Sequence, residues 1–224
     1  MKCRKMKYIR LIFYKFYSLL FCLRYLPFGQ ALHIPVLIHP SVRVKMRRGG
    51  ISFQGSLRSS MLVIGFPGTT GQSNCRTLIS IERGGRFVVS ENVQMARGTR
   101  VVIGHRGMLQ IGRHFWCNGD CYFHCTTKIS IGDDNMYGWG ISFNTSDGHH
   151  VYDNGQQKPM EGNITIGNHV WIASNCHVAK NTVIAENCVV AQNSLVNRTF
   201  VKTECLIGGI PAKVIKEDVT WSAD

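Results

Sequence analysis

The chain is poor in acidic residues: 13 Asp and Glu stand against 26 Lys and Arg, for a formal net charge of +13. The imbalance is local. Met1 to Phe28 carries seven basic residues (Lys2, Arg4, Lys5, Lys7, Arg10, Lys15, Arg24) and no acidic one, which leaves 19 basic against 13 acidic over the remainder. Much of the excess belongs to a short arm, which argues against a basic groove for nucleic acid. The arm also lacks an uninterrupted apolar run. Its longest uncharged stretch is Phe16 to Leu23, far short of the ~20 residues that cross a bilayer. Lys15 and Arg24 interrupt it and no small-residue cleavage site follows, so it is not a clean signal peptide. Nine cysteines are present, but Cys117, Cys121 and Cys125 lack the Cys-x-x-Cys spacing of a zinc ligand pair.

The arm reads as a helix ended by Pro27 and Gly29. Tyr8, Ile12, Phe16, Leu19, Leu20 and Leu23 share a face at helical pitch, with Arg10, Tyr17 and Arg24 opposite. Two readings fit: a helix lying on an anionic leaflet, or one packed on the rest of the chain or on a neighbouring subunit.

From Ile166 to Val196 both common periods, 3.6 and 2, are missing. An aliphatic residue returns at every sixth position instead: Ile166, Ile172, Val178, Ile184, Val190, Val196. A hexad marks a parallel β-helix whose triangular turns hold three hexads each, so the chain is expected to be all-β. Ile111, Cys117 and Phe123, then Ile131, Tyr137 and Phe143, continue the phase. Val89, Met95 and Val101 form a rougher set, and Ile38 to Ile64 reads as irregular first turns. Cys117, Cys121, Cys176 and Cys188 fall at inward positions, where a thiol acts as a small hydrophobe; reduced, buried thiols favour the cytoplasm.

Ile131 and Ile166 are 35 residues apart, a turn plus an insertion. The excess falls at about 148–162 and contains His149 and His150. A loop expelled from a regular solenoid is where a binding or catalytic group is expected. The organisation is therefore 1–30 as the arm, 31–207 as the solenoid, and 208–224 as a C-terminal cap with a short helix.

The hexad run, Ser146-Asp-Gly-His149, Val170-Trp-Ile-Ala-Ser174 and Gly209-Ile-Pro-Ala-Lys-Val-Ile215 resemble the hexapeptide-repeat acyltransferases of the sugar and polysaccharide O-acetyltransferase type, over roughly residues 75–217. The resemblance implies a homotrimer of left-handed β-helices with active sites between subunits. It implies acetyl-CoA as donor, no metal, and a sugar hydroxyl of a surface polysaccharide as acceptor; an arm docked on membrane would make that acceptor a lipid-linked glycan of O-antigen or capsule assembly. The small-Gly-His placement makes His149, rather than His150, the general base. Asn118 and Trp116 would touch the acceptor, although Asn118 also suits a turn. Asp147 would hold the imidazole or acceptor, or make an Asx turn. Ser174 and Gln192, one turn apart, would lie along the pantetheine; Asn197, Arg198, Lys213 and Lys216 would face the phosphates, the two lysines equally suiting a solvated helix face. The chain departs from the family in Ala173 and in Ala191-Gln-Asn193, where relatives carry glycine and Gly-Ala-Gly.

Three alternatives stay open: N-acetylation of an amino sugar or nucleotide sugar, a non-catalytic scaffold, and a zinc hydrase resembling γ-class carbonic anhydrases. The last needs two histidines a few residues apart on one turn, and His105, His114, His124, His169 and His177 show no such pair.

Overall fold

A computed structural model describes residues 2–68 and 75–223, with side chains from Arg10 onward. Three sheets form the faces of a triangular prism. Face one stacks Val36–Ile38, Leu62–Phe66, Val93–Ala96, Phe115–Cys117, Met136–Tyr137, Trp171–Ile172, Val189–Val190 and Leu206–Gly209. Face two stacks seven strands from Arg43–Lys45 to Leu195–Val196, and face three seven from Ile51–Phe53 to Thr199–Phe200. The chain visits the faces in that order, so seven turns make a parallel β-helix, left-handed as in its structural relatives. Within each face the strands pair in parallel.

The hexad positions are the core. Ile131, Ile166 and Ile184 stack in register, as do Ile172 with Val190 and Val178 with Val196, and all are buried. Truncating one such aliphatic to alanine costs about 2–5 kcal/mol, because neighbouring turns hold the cavity open. The middle turns use rings instead. Phe123 stacks on Phe143 with centroids 4.9 Å apart, and Phe115 meets Tyr137 edge-on at 5.0 Å. Cys22, Cys117, Cys121, Cys125, Cys176, Cys188 and Cys205 are buried thiols outside any disulfide. Burial pushes Cys22 and Cys125 up to about 11 and Cys117 well above the ordinary thiol value, so they stay protonated and inert.

The edges turn on left-handed residues. Asn92, His114, Asp134, His169 and Asn187 mark the three–one edge, and Asp120, Asn175 and Asn193 the one–two edge, all at φ between 52° and 62°. Asn and Asp tolerate this region better than most residues. Asn135, 1% exposed, satisfies the edge from within: its amide donates to the carbonyls of Gly132, Asp133 and Gly167, each at 3.0 Å.

The arm is a helix, α1 (Lys2–Tyr25), followed by a short α2 (Phe28–Ala31). It packs on the first turn through Ser18, Phe21, Cys22 and Leu26, all buried. The Ile38 amide donates to Ser18 Oγ at 3.0 Å, and Tyr14 meets His39 and Phe66 at 5.3 and 5.2 Å. The stripe of Ile12, Phe16 and Leu20 points away from the solenoid. Among the described residues, no helix is long and apolar enough to cross a membrane.

The C-terminal cap differs from the expected short helix. Ala212–Lys216 is a strand that folds back antiparallel on Leu206–Gly209. Two causes combine. Gly209, at φ 106°, reverses the chain; and the last strand of face one presents an unpaired ladder edge, which the returning segment satisfies.

Candidate active site

The insertion leaves the solenoid after Ser142–Asn144 on face two and returns at Ile164–Ile166 on face three, so it projects from the two–three edge. Its base is pinned by polar bonds. Thr126 N donates to Thr145 Oγ1 at 2.8 Å, Thr127 Oγ1 donates to Gly162 O at 3.0 Å, and Asp147 N donates to Met160 O at 3.0 Å. Its tip is a hairpin, Tyr152–Asp153 against Gln156–Gln157, closed by Asn154-Gly155 with φ of 49° and 75°. Positive φ at both central residues matches the twist of a two-residue hairpin, and Asn-Gly supplies it cheaply.

His149 and His150 sit between base and tip, and their surroundings differ. His150 Nδ1 lies 2.8 Å from Gln157 Nε2 and is occupied within the loop. His149 is exposed, and among the described residues its ring has no hydrogen-bond partner. Asp147 does not hold either ring: its carboxylate pairs with Lys180 Nζ at 2.7 Å. Lys180 also donates to Pro159 O, so one cation clamps both limbs of the bulge. The local turn comes from Ser146, whose Oγ accepts from Gly148 N at 3.1 Å.

The other candidates gather elsewhere. The ladder that runs Cys117, Tyr137, Ile172, Val190, Ile207 continues outward into the one–two edge. The next position holds Asn118, Gly138, Ala173, Ala191 and Gly208; the one after holds Gly119, Trp139, Ser174, Gln192 and Gly209. Asn118, Ser174 and Gln192 therefore line one edge over four turns. Lys213 joins them, because it pairs with Gly208 at the end of that row. Lys216 does not: it pairs with Leu206, toward the far side of face one. Asn197 and Arg198 are exposed on the two–three edge, one turn past Lys180 and on the same side as the bulge. Trp116, half-buried, faces outward on face one in a row with Met136 and Trp171, and borders a small cleft with Phe66, Pro67 and Gly68.

Close stacking shapes the one–two edge. A Cβ on Gly138 would come within 2.5 Å of Ser174 Oγ, and one on Gly68 within 2.6 Å of Asn118 Oδ1. Ser174, only 9% exposed, accepts from Trp139 N at 3.3 Å. Trp139 itself escaped the motif reading. Its ring is 51% exposed, on the rung between Asn118 and Ser174. The one sequence signal is its setting between Gly138, which stacks too closely on Ser174 to carry a Cβ, and Gly140, at φ 69°.

Face two separates the two edges. Six residues lead from Ser174 to Lys180, roughly 15–20 Å of extended chain. One chain therefore does not bring His149 to the Asn118–Ser174–Gln192 row. Among the described residues, no three His, Cys, Asp or Glu side chains converge as metal ligands would.

Known proteins resemble this chain in sequence and fold. A model of the bacterial transferase hexapeptide family (six repeats) matches residues 163–198. An uncharacterized 24.8 kDa protein in the cps region of Klebsiella pneumoniae is 36% identical over 192 residues, 83% of this chain and 81% of that protein. A polysialic acid O-acetyltransferase of Escherichia coli O1:K1 / APEC is 33% identical over 139 residues, 60% of this chain and 42% of that one; the chain spans less than half of that relative's length. Among solved structures, that of a polysialic acid O-acetyltransferase superposes with a TM-score of 0.57 at 23% identity, covering 84% of this chain and 87% of that one.

Proposed function

The chain belongs to the bacterial hexapeptide-repeat transferases, and from that premise we propose that it moves an acetyl group from acetyl-CoA to a sugar hydroxyl in surface polysaccharide biosynthesis, with His149 as general base. One observation carries the reading: of two adjacent histidines on the bulge at the two–three edge, His150 is tied down inside the loop and His149 is presented outward. The relatives that act on polysialic acid support the acceptor class.

The chemistry follows from the groups available. A sugar hydroxyl is a weak nucleophile until its proton is removed during attack. A neutral imidazole accepts that proton as the oxygen adds to the thioester carbonyl, and the tetrahedral adduct expels the thiolate of CoA. The imidazolium then returns the proton to sulfur, which leaves free CoA and the acetyl ester. The buried thiols take no part, since burial holds them protonated. Holding thioester and hydroxyl in one groove supplies a further large share of the rate.

The division of residues between two edges supports a homotrimer in which the two–three edge of one subunit faces the one–two edge of the next. Asn118, Trp116 and Trp139 then meet the acceptor, Ser174 and Gln192 flank the pantetheine, and Lys213 together with Asn197 and Arg198 of the adjoining subunit meets the phosphates. The enzyme works in the cytoplasm, peripherally at the inner face of the membrane, on a lipid-linked glycan.

Subunit mixing tests this. His149→Ala and Gln192→Trp chains, each inactive as homotrimers, are co-expressed. Random assembly pairs an intact histidine edge with an intact groove edge at about a quarter of sites, so mixed trimers recover about a quarter of wild-type turnover. Mixed trimers as inactive as their parents would rule out the shared site.

A further inference from the structure

The arm has two apolar faces, and the solenoid uses one. Opposite the buried side, Ile12, Phe13, Phe16 and Leu20 are 69%, 54%, 60% and 50% exposed. Helical positions i, i+1, i+4 and i+8 fall within an arc about 100° wide. Phe28 and Leu32, 65% and 60% exposed, add to the apolar surface beyond the helix end. Single exposed hydrophobes are ordinary; six from one short segment amount to a patch, which marks an interaction surface.

Charge identifies the occupant. Lys15 borders the arc on one side, and Arg10 and Arg24 on the other, all exposed. With seven basic and no acidic residues in the first 28, a second copy of this helix would bring like charges together. An anionic leaflet instead takes the rings into its acyl boundary and the cations onto its phosphates. We propose that this face of α1, with Phe28 and Leu32, docks the protein on an anionic lipid bilayer, the helix lying in the headgroup plane.

Docking also orients the groove, an inference that rests on the acetyl-transfer reading. α1 packs on the first turn, and the Asn118 rung lies three turns beyond it, about 15 Å at the ~4.8 Å spacing of paired strands. The Gly208–Lys213 rung lies four turns further, about 19 Å on. The acceptor end of the groove is thus near the membrane, and the end that meets the CoA phosphates faces bulk water.

Co-sedimentation with vesicles of phosphatidylglycerol in phosphatidylcholine, against phosphatidylcholine alone, tests docking without any acetyl-CoA. The intact chain should sediment with the anionic vesicles, less so as salt is raised. Ile12→Ser/Phe13→Ser/Phe16→Ser/Leu20→Ser changes only exposed side chains, so its melting temperature should hold while binding falls about a hundredfold. Lys15→Glu/Arg24→Glu should weaken binding about tenfold or more. Failure of the intact chain to bind, or unchanged binding by the serine variant, overturns the proposal. So does a serine variant that drops to a smaller oligomer by light scattering, since the face is then a subunit contact. Binding by a chain that transfers no acetyl would keep docking and discard the activity.

Discussion

Along the one–two edge the turns repeat almost without side chains: Gly138, Ala173, Ala191 and Gly208 follow one another at equivalent positions, packed so closely that Gly138 has no room for a methyl group. Along the two–three edge the chain leaves the repeat altogether, and an ion pair and threonine hydroxyls hold a bulge in place. One edge is a wall shaped by stacking, and the other an arm that carries an imidazole into solvent. Neither has what the other supplies. A regular solenoid presents a precise surface yet delivers no base beyond its own outline, whereas an insertion delivers a base yet forms no groove.

The contrast breaks most sharply at the bulge. His149→Ala should lower acetyl transfer by about 10²–10⁴, with unchanged circular dichroism and oligomeric mass, because the ring is exposed and makes no hydrogen bond among the described residues. His150→Ala removes only the contact to Gln157 and should cost less than about tenfold. Equal losses at both positions would mean that the loop matters for its shape rather than for one base.

A smaller effect separates the bulge from its anchor. Lys180 is 17% exposed and Asp147 37% at the side chain, so their pair is partly shielded from solvent. Lys180→Met releases both Asp147 and the Pro159 carbonyl. Misplacing a catalytic group by a fraction of an ångström to one ångström is expensive, so kcat should fall about tenfold with KM for acetyl-CoA nearly constant. Asp147→Asn, which keeps the shape, should fall between wild type and Lys180→Met. A pure loss of KM in either variant would instead place Asp147 against substrate.

On the wall, Trp139→Ala sharpens the comparison. The indole stands on the rung between Asn118 and Ser174 and is half exposed. Loss of an aromatic contact of about 0.5–1.5 kcal/mol should raise KM about fivefold, for the acceptor if the ring stacks on a sugar, with kcat little changed. Steady-state kinetics with each substrate varied in turn decides which one the ring touches.

How legible each region was follows from the same difference. In the last turns Trp171 pairs with Val189 and Ile172 with Val190 after a strict repeat, so the hexads alone reveal the fold, and the family model matches just that stretch. In the first turns Val36 pairs with Leu62 and Leu62 with Val93; loops of unequal length between strands blur the period. The bulge was visible as an interruption. Trp139 was not, because only register places it beside Asn118 and Ser174. The C-terminal strand was hidden for a different reason. A proline followed by Ala-Lys-Val-Ile-Lys fits a helix start, and what decides otherwise is a vacant ladder edge, a tertiary fact that local sequence does not contain. The two faces of α1 were half legible: the sequence pattern marks the exposed stripe, whereas the packed side depends on Ser18 and Cys22 meeting the first strand.

The smallest expected effect divides the two lysines beyond the last turn. Both are exposed on one short strand, and motif spacing treats them alike. Register separates them: Lys213 lies across from Gly208 at the end of the groove row, and Lys216 across from Leu206, three residues further along the strand, about 10 Å away. An exposed cation facing phosphates contributes about 0.2–1 kcal/mol and is screened by salt. Lys213→Ala should therefore raise KM for acetyl-CoA about two- to fivefold at low ionic strength, with the difference fading at high salt and kcat unchanged. Lys216→Ala should leave both constants within error. Equal effects would show that the phosphates lie across face one rather than at its edge, and no effect from either would leave the groove ending at Gln192.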